Sequence, residues 1–216
     1  MRLHDRLFPG LKGKWAEVNL NDLYVKEYPE AVAAGGKSLA LDPSACDEFL
    51  GRLNNKLLCD YTYGGYLEDR AELWRGGYHQ PGHTVHLGID YNVACLIPVY
   101  LPFPAKLICL EQGEDQDGGW GGRAVYRDKN GLYWVFAHLE KMEGMPGTTR
   151  GEGEVIGQVG RSSFNGNWFP HLHVQCMTRY DLEADGYGNK WELENGTLAA
   201  NFLNPEIEFA HLTGGT

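Results

Sequence analysis

Seven consecutive residues, Val85-His86-Leu87-Gly88-Ile89-Asp90-Tyr91, constrain this chain more than any other stretch. Val85, Leu87, Ile89 and Tyr91 alternate with His86, Gly88 and Asp90. That period of two predicts a β-strand with one apolar and one polar face. A helix would also bring positions four apart together, but Gly88 and the β-branched neighbours oppose it. An imidazole and a carboxylate then point the same way, and Gly88 leaves room between them for an ion.

Two further runs follow the same logic. In His171-Leu172-His173-Val174-Gln175-Cys176, the residues His171, His173 and Gln175 share one face. The strand-like run Tyr133-Trp134-Val135-Phe136-Ala137-His138-Leu139 brings in a further histidine near its end. If the three strands are neighbours, four histidines and one aspartate converge.

That donor set suits zinc. A zinc hydrolase keeps three protein ligands from imidazole and carboxylate and leaves one position open. Bound zinc lowers the pKa of water to about 7 and polarises a carbonyl. A base must also take the water's proton and an acid must supply the departing amine, and histidine does either near neutrality. His86, Asp90 and one histidine of the His171/His173 pair are candidate ligands. The other histidine of that pair and His138 are candidate proton carriers. Spacing alone leaves open which member of the pair binds metal, since both project from one strand face roughly 6–7 Å apart.

The chain of 216 residues suits one domain with extensions and is long enough for a proper core. A hydrophobic content of 43% marks it as globular, and 29 glycines with 10 prolines imply many turns. The net charge of −10, with no basic cluster, disfavours nucleic acid and anionic membrane as partners. No run approaches the roughly 20 apolar residues of a spanning helix. The residues Met1 to Arg6 lack the apolar core of a signal peptide, so a cytoplasmic location is expected. The 5 cysteines are widely spaced without a Cys-x-x-Cys pair, which fits reduced, buried thiols.

Along the chain, residues 1 to about 40 show no clean period. Asp42-Pro43 reads as a helix start, and Cys46, Phe49, Leu50, Leu53 and Leu57 follow at helical spacing, predicting a helix over about 43–58. Tyr61 to Tyr66 reads as a tyrosine-rich loop, continued by Glu68-Asp69-Arg70. His79 and His83 flank a Pro-Gly turn at odd offsets and are poor ligand candidates. Strands are expected at 105–110, 123–126, 132–138 and 155–160, with an Asn-Gly hairpin signal at Asn130-Gly131. The loop from Arg161 to Pro170 leads into the His-Leu-His strand and should border the site, which makes Asn165 and Trp168 candidate groove residues. Tyr78 is a third, through a hydrogen bond to a developing oxyanion. Residues 198–203 read as a short helix stopped by Asn204-Pro205. The expected architecture is mainly β. An antiparallel β-sheet domain over 71–176 follows a mixed, partly helical N-terminal extension over 1–70 and precedes a C-terminal tail over 177–216.

The motifs His86-Leu87-Gly88-Ile89-Asp90, Ala137-His138-Leu139 and Pro170-His171-Leu172-His173-Val174 resemble the signature of the lysostaphin-type zinc metallopeptidases. Pro98-Val99-Tyr100, Gly157-Gln158-Val159-Gly160 and the Gly/Trp-rich loop before Arg123 are similar to that family as well. The resemblance covers roughly residues 83–176. It implies a small antiparallel β fold with an open groove, zinc held by His86, Asp90 and His173, and His138 with His171 as the catalytic pair. It also implies peptide or peptidoglycan-like substrates, cut by an endopeptidase next to glycine or D-alanine. The loop from Asn165 to Pro170 and the tyrosine-rich stretch from Tyr63 to Arg70 look more like an intracellular branch, similar to domains fused to aminotransferases. The alternative from a different class is a zinc-stabilised module that binds a peptide or small amide without cutting it.

Overall fold

A computed structural model describes residues 1–77, 82–114, 119–181 and 186–214. The helices are α1 (Leu3–Leu7), α2 (Leu20–Glu27), α3 (Pro29–Ala34), α4 (Pro43–Leu57), α5 (Lys190–Glu194), α6 (Thr197–Asn201) and α7 (Pro205–Thr213). The strands are β1 (Trp15–Val18), β2 (Tyr61–Gly64), β3 (His83–His86), β4 (Ile89–Asn92), β5 (Pro98–Tyr100), β6 (Ala105–Glu111) and β7 (Gly122–Arg127). They continue with β8 (Tyr133–Glu140), β9 (Thr149–Arg150), β10 (Val155–Val159), β11 (His171–Met177), β12 (Tyr187–Asn189) and β13 (Phe202–Leu203).

One large sheet runs β1-β2-β4-β11-β8-β7-β6-β9, and β12 pairs with β3 in a second, two-stranded sheet. Every pair is antiparallel except β1 with β2, which is parallel. The fold is mainly β, with helices gathered toward both ends of the chain. The central strand is β11, between β4 and β8, so it is buried along its whole length. Its register sets His173 opposite Asp90 on one side and opposite Ala137 on the other.

The helix expected at 43–58 is α4. The Asp42 carboxylate accepts the Ala45 N–H at 3.0 Å and Pro43 occupies its first turn. Its buried stripe of Cys46, Phe49, Leu50 and Leu53 contributes about 1.5–3 kcal/mol for each large side chain buried. That stripe joins a helical cluster with Leu20, Tyr24, Leu73 and Trp168, so the N-terminal helices back the loop before β11. The main core lies under the sheet, where Leu3, Leu7, Phe8, Phe209 and Leu212 of the terminal segments pack on Tyr91, Phe136 and Val174.

The Asn-Gly hairpin forms between β7 and β8. Asp128 Oδ1 accepts the Asn130 and Leu132 N–H groups, and its Oδ2 accepts the Trp134 indole N–H. Three local expectations are corrected. Tyr61 to Gly64 is the strand β2 rather than loop, because it extends the sheet beyond β4. The short helix expected over 198–203 forms as α6 but ends at Asn201, because Phe202 and Leu203 pair with β11 as β13; Asn204-Pro205 then opens α7, with Asn204 accepting the Glu206 N–H and Pro205 in the first turn. Helices α1 to α3 form in a stretch without a clean apolar period, since only packing stabilises helices this short. All five cysteines are unpaired. No helix among the described residues is long and apolar enough to cross a membrane.

Candidate active site

The run from Val85 to Tyr91 is not one strand. The chain breaks pairing at Leu87-Gly88, so His86 ends β3 and Asp90 sits in β4, each in a different sheet. The two side chains still meet, with His86 Nε2 3.3 Å from Asp90 Oδ1. The room above Gly88 is occupied by the ring of His173. A Cβ at position 88 would lie 2.7 Å from that ring and 2.6 Å from the Val174 carbonyl oxygen. Gly88→Ala is therefore expected to destabilise the fold by about 1–3 kcal/mol. Thermal denaturation would show the loss, and a metal titration would show weaker binding as the His173 ring is displaced.

The protonation of each imidazole follows from its outer partner. His86 Nδ1 lies 2.9 Å from the Gly65 carbonyl oxygen, which only accepts, so Nδ1 carries the proton and Nε2 faces inward bare. His173 Nε2 lies 3.2 Å from Gln175 Oε1 and donates to it, which leaves Nδ1 bare. The two bare nitrogens are 2.9 Å apart, and His173 Nδ1 is 3.1 Å from Asp90 Oδ1. Three acceptor atoms thus converge inside the protein with no proton between them. Such an arrangement is repulsive until a cation takes the centre, and the ring nitrogens and carboxylate oxygen are the donors zinc prefers. His86, Asp90 and His173 are all buried, and their ligand atoms lie within 4.8 Å of one another. The donor set fits a zinc ion.

The remaining two histidines flank this cluster. His171 Nδ1 donates to the Phe169 carbonyl at 2.8 Å, and its Nε2 lies 3.7 Å from Asp90 Oδ1. His138 Nδ1 donates to the Phe164 carbonyl at 3.1 Å. Their ring centroids are 4.5 Å apart. His138 does not sit on a regular strand face. It is the extra residue of a bulge, since Arg123 pairs with Ala137 and Gly122 with Leu139. Its φ of 60° is a left-handed conformation that costs a non-glycine residue about 1–2 kcal/mol. The bulge turns the imidazole toward the cleft, a direction that strand alternation alone does not predict.

Burial sets the electrostatics. It lowers the pKa of His86 to about 3, helped by the Arg70 guanidinium. Burial likewise lowers His138 and His171, each reinforced by neighbouring histidines. For Asp90 burial alone would raise the pKa, but the Arg70 guanidinium at 2.7 Å outweighs it and holds the carboxyl well below its usual range. All four shifts make the metal-free protein sensitive to acid. Above about pH 6.5 a histidine is neutral in both folded and unfolded chains. Below it the unfolded chain binds a proton that folded His86 refuses until about pH 3. For His86 folding stability is expected to fall by about 1.4 kcal/mol per pH unit over that window, and His138 and His171 act with the same sign. Asp90 acts with the same sign at lower pH. Denaturant titrations at pH 7 and pH 5 check the slope.

The cleft above the cluster holds about 80 Å³ and is walled by Trp74, Trp120, Trp168, Asn165, Leu41 and Tyr187, among others. Of the expected groove residues, Trp168 lines it and meets the His171 ring edge-on at 5.1 Å. Asn165 also lines it, but its side chain is engaged in the loop. It donates to the Phe169 carbonyl at 2.7 Å and accepts the Trp168 N–H at 3.1 Å. Tyr78 and His79 lie outside the described residues. His83 is away from the cluster and meets Asn189 at 2.9 Å. Sequence reasoning missed Arg70, Trp74 and Tyr187. None lies in a periodic run, and Arg70 meets Asp90 only because residues 67–70 run beside β3.

The sequence profile described as Peptidase family M23 matches residues 84–185. Residues 84–185 belong to peptidase family M23. The domain includes all five residues of the His/Asp cluster. Over 96 residues the chain is 34% identical to DD-carboxypeptidase/endopeptidase Mpg of Neisseria meningitidis serogroup B (strain ATCC 13091 / M2091), covering 44% of this chain and 21% of the relative. The Neisseria gonorrhoeae protein of the same name matches equally. The chain thus spans about a fifth of the length of the curated relatives it matches. Among solved structures, the lysostaphin catalytic domain of Staphylococcus simulans is 23% identical, with 67% of this chain and 96% of that chain covered and a TM-score of 0.42. A zinc-containing peptidase from Vibrio cholerae is 22% identical, with 46% of this chain and 31% of that chain covered and a TM-score of 0.37.

Proposed function

We propose that this protein is a zinc-dependent amide hydrolase that cuts peptide bonds in peptidoglycan-type peptides, as an endopeptidase at links containing glycine or D-alanine. The observation that carries the reading is the pairing of a three-donor cluster with two further histidines, His138 and His171, that bind no metal in this scheme yet face the same cleft. The curated relatives are named as DD-carboxypeptidase/endopeptidase, which supports that substrate class.

His86 Nε2, His173 Nδ1 and Asp90 Oδ1 would hold the zinc. When bound, the ion supplies a Lewis acid for the substrate carbonyl and makes water acidic near neutral pH. The two remaining histidines handle protons. Each has its Nδ1 proton committed to a backbone carbonyl, which fixes the tautomer and leaves Nε2 as a base. Their lowered pKa values keep both rings neutral at pH 7, ready to accept a proton from the attacking water. A ring so protonated then gives that proton to the departing amine nitrogen. Trp120 and Trp168 exclude bulk water from one side of the cleft, which strengthens these interactions.

The test is cleavage of synthetic glycine-linked and D-alanine-containing cell-wall peptides, followed by mass spectrometry before and after chelation. Cleavage that chelation stops and zinc restores is the expected result. Zinc uptake with no cleavage of any such peptide would leave the binding module instead.

A further inference from the structure

Asp90 of the cluster and two charged side chains behind it are almost fully buried. Arg70 is 1% exposed, Asp90 1% and Glu68 5%. Arg70 Nη1 donates to Asp90 Oδ2 at 2.7 Å and to the Tyr187 hydroxyl at 3.2 Å, while its Nε donates to Glu68 Oε2 at 3.0 Å. Asp90 Oδ2 is thereby occupied. Its other oxygen, Oδ1, is the one that faces His86, His173 and His171.

We propose that Arg70 is a positioning residue that presents Asp90 to the metal through Oδ1 alone, and that the segment before residue 84 is therefore part of the metal site. The proposal rests on the reading of the cluster as a zinc site. A free carboxylate can rotate and offer a metal one oxygen or two. A guanidinium N–H bonded to Oδ2 engages that oxygen, restrains rotation of the carboxylate and leaves Oδ1 facing the histidines. A buried cation beside a metal site would by itself repel the incoming ion. Glu68 offsets that charge and holds Nε, so the guanidinium orients Asp90 without adding net positive charge to the pair.

The segment that carries Arg70 is tied to the site by its backbone as well. Leu67 N–H donates to the His86 carbonyl, His86 N–H to the Glu68 carbonyl, and Arg70 N–H to the Thr84 carbonyl, at 2.8 to 2.9 Å. Gly65 permits the approach. Its φ is 99°, and a Cβ there would collide with Arg70 Nη2 and lie 2.8 Å from His86 Nδ1. Glu68 is anchored in turn, since its Oε1 accepts the Asn21 N–H of α2 at 2.6 Å. Asn21 Oδ1 accepts the Glu72 and Leu73 N–H groups, which closes the link between α2 and this segment. Arg70, Glu68 and Asn21 all precede the residues matched to family M23.

The experiment compares the full-length protein with Arg70→Lys and Glu68→Gln. Zinc affinity is read by competition with a chromophoric chelator, and the ligand field by the visible spectrum of the cobalt-loaded protein. Arg70→Lys keeps the charge but loses the planar fork, so zinc affinity is expected to fall about 10–100-fold. The cobalt bands should shift as the second carboxylate oxygen becomes available. Glu68→Gln should move both readouts in the same direction by a smaller factor. Leu53→Ala, a core truncation in α4, serves as the control: it should lower thermal stability without changing affinity or spectrum. If Arg70→Lys does not fold, Glu68→Gln decides on the same two readouts. Parental affinity and spectrum in the folded variants would overturn the positioning role while leaving the zinc reading intact. Failure of the parent protein to take up zinc would overturn both.

Discussion

His171→Ala is expected to lower kcat by about 10²–10⁴-fold while the protein keeps its zinc. The imidazole lies beside Asp90 Oδ1 at 3.7 Å, too far for a hydrogen bond and outside the closely spaced ligand set. Its Nδ1 proton is held by the Phe169 carbonyl, so what the substitution removes from the cleft is one neutral Nε2. His138→Ala should cost a similar factor, because its ring lies 4.5 Å from that of His171 and the two handle the same protons. The double variant should be little worse than either single one, as residues acting as a unit are not additive. Steady-state rates on a cleavable peptide, with metal content measured on the same samples, give the answer. Full activity in either variant would remove that histidine from the reaction. Loss of zinc in His171→Ala would make it a ligand and reopen the assignment within the His-Leu-His pair.

The second large effect belongs to Asp90. Zinc added to the metal-free parent at about a hundred times its Kd should stabilise the fold by about 2.7 kcal/mol. For a chain of this size that corresponds to a rise in Tm of roughly 5–11 °C. Asp90→Asn should show no such rise, because it removes the only anionic member of the donor set. It should also lower stability without metal, since the buried Arg70 guanidinium loses its charge partner while Glu68 remains. Because Glu68 still compensates the guanidinium, this loss stays below the roughly 3–5 kcal/mol of a buried charge left with no partner. Calorimetry with and without zinc separates the two effects. An Asp90→Asn protein that gains the parent's full zinc stabilisation would exclude this carboxylate as a ligand.

Much of the site was legible from alternation. His86, Asp90, His171 and His173 stand in short runs where polar residues alternate with large apolar ones, and a period of two puts each set on one face. The helix α4 was legible for a similar reason, with a capping aspartate, an early proline and an apolar stripe. Helices α1 to α3 were not, because their stability comes from contacts with distant parts of the chain. The break at Leu87-Gly88 was hidden by the regular pattern across it. Alternation describes side-chain direction and does not say whether a strand continues.

The residue types of the cluster and their grouping into three runs are properties of the sequence by itself, because local periodicity is written in neighbouring side chains. Their convergence is a tertiary outcome. The register that sets His173 against Asp90 is a matter of which backbone hydrogen bonds form between strands 83 residues apart at that pair. The bulge that turns His138 into the cleft depends on the mismatch between β7 and β8. Arg70 reaches Asp90 through a segment whose own sequence has no period, held in place by hydrogen bonds to β3. Such contacts depend on distances across the folded chain, and a linear pattern carries no measure of those distances.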